Sequence, residues 1–131
     1  MSSAIFINLP VQDPKASGEF FTKIGFAPDE EFTGGDVVSV LIGENIRVFL
    51  VTEAFFRQAS RREVADTATH AEVELAVQVE SRACVNEIAD AAAAAGGEAA
   101  GEHEEPGVMY SRGFRDLDGH LWNVFSMNAT S

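Results

Sequence analysis

The stretches Ile5-Phe6-Ile7-Asn8-Leu9-Pro10-Val11 and Val73-Glu74-Leu75-Ala76-Val77-Gln78-Val79 lie 68 positions apart and read alike. In both, every second residue is a branched aliphatic, the period of a strand with one apolar face. Each is followed by a helix start. Asp13 precedes Pro14 in the first copy and Ser81 stands at the same offset in the second. Such side chains accept a first-turn N–H, and proline supplies the preset φ while giving up a donor that would have no partner. The first helix is predicted to run to about residue 24, with Ala16, Phe20, Phe21 and Ile24 on one stripe and Gly25 at its stop. The second carries Cys84, Val85, Ile88, Ala89, Ala92 and Ala95 and ends at Gly96-Gly97.

After each helix three strand-like runs follow. They cover about 26–32, 37–42 and 46–51 in the first copy, and about 98–101, 108–115 and 121–126 in the second, with Gly34-Gly35, Glu44-Asn45 and Asp118-Gly119 as turns. Thr52 caps a further short helix to about residue 60. The reading is an α+β chain of one domain over 1–131. It has a βαβββ module at about 4–51, a connector at about 52–71 and a second βαβββ module at about 72–127. A small sheet with one helix leaves its other face bare, so two such modules are expected to combine into a curved mixed sheet that encloses a cleft. The aliphatic parities belong under the helices. The other parities, with Phe6 and Asn8 in one copy and Glu74 in the other, are expected to line the cleft.

The 131 residues suit one ordinary domain, and a net charge of −12 repels phosphate backbones and anionic lipid surfaces. Nucleic acid and membrane are therefore excluded as expected partners. A single cysteine allows no intrachain disulfide, the N-terminus has no basic start and apolar run, and a cytoplasmic location is expected.

The hairpin Phe114-Arg115-Asp116-Leu117-Asp118-Gly119-His120-Leu121-Trp122-Asn123 carries several polar candidates. Its Asp-x-Asp-Gly is no calcium loop, because the glycine comes two positions early and Met127 stands where a bidentate glutamate belongs. His120 is read as a turn residue and His103 as part of a solvated acidic loop. Of the preceding strand only one parity can face the cleft, either Tyr110 and Arg112 or Ser111, Gly113 and Arg115. Tyr110 and Arg112 are taken as the binding candidates, since arginine pairs with an anionic group.

The duplicated module, the opening Asn8-Leu9-Pro10-Val11-Gln12-Asp13, the ending Phe20-Phe21-Thr22-Lys23-Ile24-Gly25-Phe26 and the closing Asp116-Leu117-Asp118-Gly119-His120-Leu121-Trp122 together resemble the vicinal oxygen chelate superfamily. That superfamily includes glyoxalase I, extradiol dioxygenases and bleomycin- and fosfomycin-resistance proteins, and the likeness is greatest to the subgroup described as predicted lactoylglutathione lyases. It implies a glyoxalase-like fold, a small-molecule ligand and a homodimer. Metal-dependent members hold a divalent ion with His, Gln or Glu from the first and last strands of each module. Carried over, those positions fall on Phe6, Glu74, Asn123 and either Arg47 or Phe49. Phenylalanine has no ligating atom and an amide oxygen is a weak ligand for transition metals. Only Glu74 suits a metal, so no metal ligands are assigned and no cofactor is expected.

Three readings follow. The first is binding of a small organic molecule in the cleft without the usual metal, through Phe6, Asn8, Arg47, Phe49, Tyr110, Arg112 and Asn123. The second is a lyase or isomerase of the glyoxalase type, with Glu74 as catalytic residue and a divalent metal on an unconventional ligand set. The third is an interaction module whose cleft is filled by its own side chains.

Overall fold

Asp13 opens the first helix as its sequence requires, its Oδ1 accepting the Ala16 N–H at 3.2 Å, and Ser81 does the same for Cys84 at 3.1 Å. Around these starts the computed structural model, which describes residues 3–127, forms two units, Met1–Ala65 and Asp66–Ser131. The first contains β1 (Ile5–Val11), α1 (Pro14–Lys23), β2 (Ala27–Gly34), β3 (Val37–Gly43), β4 (Ile46–Thr52) and α2 (Glu53–Ser60). The second contains β5 (Glu74–Gln78), α3 (Arg82–Ala94), β6 (Glu98–Glu105), β7 (Met109–Arg115) and β8 (Leu121–Met127).

Each unit is a four-stranded mixed sheet, in the order β1-β4-β3-β2 and β5-β8-β7-β6. The first strand of each runs parallel to the last, and the rest is an antiparallel meander. This is the expected α+β architecture of two βαβββ modules.

Of the aliphatic parities of the first strands, Leu9 and Val11 are buried, Ile5 is 53% exposed, and Leu75 and Val77 are half-buried. The sheet core under the helices comes mainly from the later strands. Leu9, Val11, Val40, Val48 and Leu50 are buried with Phe20 and Phe21 of α1, and Val124, Phe114 and Trp122 are buried with Val85, Ile88 and Ala92 of α3. Full burial of such side chains contributes about 1.5–3 kcal/mol each. Gly18 lets α1 approach β3 closely, because a Cβ there would stand 2.6 Å from Val38 Cγ1.

Two elements differ from the sequence reading. β6 spans eight residues instead of the expected four, so His103 lies in a strand opposite Ser111 and not in a loop. A register shift between Ala99 and Glu102, with Gly101 at φ 101°, lets the strand resume after the point where its apolar residues end. β5 is shorter than expected, five residues from Glu74.

The β7–β8 turn is organised by one carboxylate. Asp116 is 6% exposed, and its Oδ1 accepts the N–H groups of Asp118 and His120 at 3.0 Å each. Its Oδ2 accepts Trp122 Nε1–H, also at 3.0 Å. Gly119, at φ 84°, passes so close to the connector that a Cβ would meet Thr67 Oγ1 at 2.6 Å. That hydroxyl donates to the Asp118 carbonyl at 2.7 Å. Burial pushes the Asp116 carboxyl above its ordinary 3.8, against the opposing pull of His120 and of the donated hydrogen bonds.

The folded chain therefore keeps this proton over a window just above the ordinary range, where the unfolded chain has released it. The contribution of Asp116 to stability falls as pH rises through that window. Asp116→Asn removes this component, which urea unfolding at several pH values reads as a difference between the two proteins. At neutral pH the variant is expected to be less stable by about 1–3 kcal/mol, since an amide cannot accept from both backbone N–H groups and Trp122 without turning a donor on one of them.

Candidate functional site

Strand pairing decides which side chains share a face. In the first unit Phe6 pairs with Arg47, Asn8 with Phe49, Ser39 with Phe49 and Asp29 with Ser39, so all of these lie on the face turned away from the Val40 and Val48 that pack under α1. Three phenylalanines gather there. Phe6 meets Phe32 and Phe49 edge-on at 5.6 and 5.3 Å between ring centroids, and Phe32 lies 5.8 Å from Phe49. Such offset contacts suit the ring quadrupole. Phe6 and Phe32 remain 42% and 40% exposed, so the cluster is a surface rather than a core.

Arg47 completes it. The guanidinium carbon sits 4.8 Å from the Phe32 centroid and 5.7 Å from that of Phe6. Its Nε donates to Asp29 Oδ2 at 2.7 Å, and a terminal nitrogen lies 3.6 Å from Glu31. Asp29 is buried and also accepts from Ser39 Oγ at 2.8 Å. Arg47 is thus fixed along one edge by a buried carboxylate and rests against two rings.

In the second unit β5 and β8 pair Ala76 with Asn123, and β7 brings Gly113 opposite Asn123. Asn123 Nδ2 donates to Glu74 Oε2. A Cβ on Gly113 would stand 2.9 Å from Asn123 Oδ1 and 2.7 Å from the Ala100 carbonyl oxygen. Glycine at 113 makes room for the amide that holds Glu74.

Tyr110 and Arg112 are elsewhere. They pair with Ser126 and Val124, on the face that α3 covers. The Tyr110 hydroxyl lies 2.7 Å from Asn86 Oδ1 and 2.8 Å from Glu102 Oε2, and Arg112 donates to Asn86 Oδ1 at 3.1 Å and to Asp90 Oδ1 at 2.9 Å. Burial, followed by the Glu102 carboxylate, pushes the Tyr110 phenol above its ordinary value. The expectation that these two share a face with Asn123 is therefore corrected. Ser111, Gly113 and Arg115 have that face, and Arg115 is turned back onto the Gly119 carbonyl at 3.0 Å. The pairing also decides between Arg47 and Phe49. Phe49 stands opposite Asn8 as Asn123 stands opposite Ala76, 68 positions on, so Phe49 is the counterpart of Asn123.

At the positions where the resemblance places metal ligands, the chain has Phe6, Phe49, Glu74 and Asn123. Phe6 and Phe49 offer only carbon, and Asn123 turns its amide N–H toward the one carboxylate present, Glu74. Among the described residues no three His, Cys, Asp or Glu side chains cluster as a metal site. A groove of about 590 Å³ opens on the α1 side, lined by Lys15, Gly18, Thr22, Pro28, Val38 and Val40 and reaching Asp29 and Ser39. The Thr22 hydroxyl there is engaged by the Gly18 carbonyl at 2.9 Å.

Comparison with known proteins agrees with this architecture. A hypothetical protein from S. aureus superposes with a TM-score of 0.80 at 26% identity, covering 96% of this chain and 94% of its own. A lactoylglutathione lyase from Agrobacterium tumefaciens matches at 0.66 and 20% identity, covering 96% and 94%. TnmS3, an antibiotic binding protein from Streptomyces sp. CB03234, matches at 0.64 and 17% identity, covering 97% of both chains. Searching the curated proteins finds no match. The fold is thus one shared by a lyase and an antibiotic binder. The sequence model of the Glyoxalase/Bleomycin resistance protein/Dioxygenase superfamily matches residues 5–124, and the chain belongs to that superfamily.

Replacing Gly113 by alanine is expected to cost about 1–3 kcal/mol, as other overpacked sites do. It should also displace the Asn123 amide, so that its side-chain N–H signals shift in an NMR spectrum along with the unfolding midpoint. An unchanged amide signal would remove Gly113 from the site.

Proposed function

We propose that the protein binds a small organic molecule on the sheet face bearing Phe6, Phe32, Phe49, Asn8 and Arg47, without the divalent metal of its metal-dependent relatives. The observation that carries this is the exposed trio of rings. Two phenylalanines left about two-fifths exposed beside a third, on one sheet face, form the kind of apolar surface that marks a binding site in a soluble chain. That an antibiotic binding protein shares the fold supports the reading. Phe6 and Phe49 supply apolar surface at positions where relatives hold ligating groups. Asn8 adds one amide, and Arg47 is held rigid by Asp29.

Glu74 favours a second reading. Its carboxylate is held by Asn123 on the open face of its own sheet, as a general base would have to be, and a lactoylglutathione lyase shares the fold. In that case the protein is a lyase or isomerase whose metal comes with an unconventional ligand set. We also expect a homodimer, since β1 and β2 are sheet edges in their own unit. A cytoplasmic location suits a chain with one cysteine and, among its described residues, no helix long and apolar enough to cross a membrane.

Elemental analysis of dialysed protein separates the two readings. The binding reading expects well under one metal per chain. About one metal per chain, lost in Glu74→Ala, would establish the second. A thermal-shift screen of aromatic diols, thiol conjugates and antibiotics is expected to yield ligands that raise the melting point. Phe6→Ala should weaken each hit at least tenfold, while Tyr110→Phe leaves it unchanged. Light scattering is expected to give twice the chain mass, and a monomer at high concentration would refute the dimer.

A further inference from the structure

The ring cluster carries an arginine, which invites the assumption that its ligand is an anion. The charges around Arg47 argue the opposite. Its Nε is bonded to Asp29 at 2.7 Å and a terminal nitrogen lies 3.6 Å from Glu31. The Arg47 side chain is only 18% exposed, whereas that of Glu31 is 69% exposed. The guanidinium rests against the rings of Phe6 and Phe32, 5.7 and 4.8 Å from their centroids. The guanidinium therefore has its Nε edge engaged by Asp29, and its charge is met by two carboxylates. The formal sum over Arg47, Asp29 and Glu31 is one negative charge. The whole chain adds to this, with a net charge of −12.

We infer that the Phe6–Phe32–Phe49 face selects planar aromatic ligands that carry no negative charge, and that the Asp29–Arg47–Glu31 arrangement excludes aromatic carboxylates and other anions of the same shape. Resting on the binding reading above, this names the chemical class that the site takes. Stacking supplies attraction that is indifferent to charge, as aromatic faces do for any flat ring system. The net negative cluster then discriminates between ligands of one shape, by charge and in a salt-dependent way. Asp29 acts here as a positioning and neutralising residue. With Ser39 it fixes the direction of the guanidinium, and its carboxylate cancels the charge that an anion would otherwise find. Glu31 supplies the excess.

The test uses the intact protein and three probes of one shape: 2-naphthylmethanol, 2-naphthylmethylammonium and 2-naphthoate. Titration calorimetry at low ionic strength is expected to show the alcohol and the ammonium binding at least tenfold more tightly than the carboxylate. The ammonium should bind at least as well as the alcohol. The gap between ammonium and carboxylate should narrow severalfold in about 1 M salt, where the screening length is about 3 Å. Asp29→Asn releases the charge of Arg47 and is expected to bring the carboxylate to within about threefold of the alcohol. Glu31→Gln, at an exposed position, should narrow the gap in the same direction without any risk to folding. Naphthoate binding as tightly as the alcohol in the unaltered protein overturns the charge selection while leaving the aromatic site standing. If none of the three probes binds, or if Phe6→Ala leaves their affinities unchanged, the aromatic site itself falls and this inference with it.

Discussion

The carboxylate of Asp116 is the constraint on which the second unit depends. A buried acid that accepts two backbone N–H groups and an indole N–H within six residues permits only one way of turning the chain between β7 and β8. That turn sets Arg115 opposite Leu121 and hence Gly113 opposite Asn123. A slip of one residue would exchange the two faces of β8, exposing Trp122 and Val124 and burying Asn123. The site residue is therefore placed by a structural residue that never touches it. Fixing the turn costs desolvation of a carboxyl, and the gain is a stacked Phe114–Trp122 pair at 6.2 Å sealed beneath α3.

The same scaffold carries opposite chemistry in its two copies. At the first-strand position one unit has Phe6 and the other Glu74, and at the last-strand position one has Phe49 and the other Asn123. One open face is consequently aromatic and the other is a carboxylate held by an amide. The covered faces differ too. α1 has Gly18 where α3 has Asn86, 68 positions on, and β3 has Val38 near Gly18 where β7 carries Arg112 against Asn86. Small apolar residues leave a groove beside α1. Polar residues of complementary charge fill the corresponding place beside α3. Duplication has kept the backbone and freed the side chains, as expected when the hydrophobic pattern fixes the fold and only a few positions carry function.

Legibility in the sequence followed the same division. The repeat, the helix caps at Asp13 and Ser81 and the aliphatic parities were readable because each depends on near neighbours in the chain. The length of β6 was not, since Glu102 to Glu105 have no strand-like composition and are held only by pairing with β7. The face of β7 was open to a better reading. Antiparallel partners share a face, and the tight Asp116–Gly119 turn places Phe114 against Trp122, so Tyr110 and Arg112 had to follow Trp122 beneath the helix. Asp29, Ser39 and Phe32 gave no local signal. Asp29 and Phe32 take their roles from meeting Arg47, which lies 18 positions beyond Asp29, and Ser39 takes its role from bonding Asp29.

Arginine on a binding face is usually a handle for an anion, because its fork of donors matches a carboxylate. Here one N–H of the fork is bonded to Asp29, and the charge is balanced by Asp29 and Glu31 of the chain itself. A buried aspartate that loses its partner would carry an uncompensated charge, so Asp29 cannot release Arg47 to a ligand without a cost that the ligand would have to repay. Arg47 is better understood as part of the wall than as a hand extended from it. Its charge stabilises Asp29, its plane props Phe32 and Phe6, and its aliphatic stem extends the apolar surface. What this face chiefly presents for recognition is ring surface and the Asn8 amide. That combination suits flat, weakly polar molecules, and it distinguishes this face from the Glu74–Asn123 face of the other unit, where a carboxylate is presented with an amide partner.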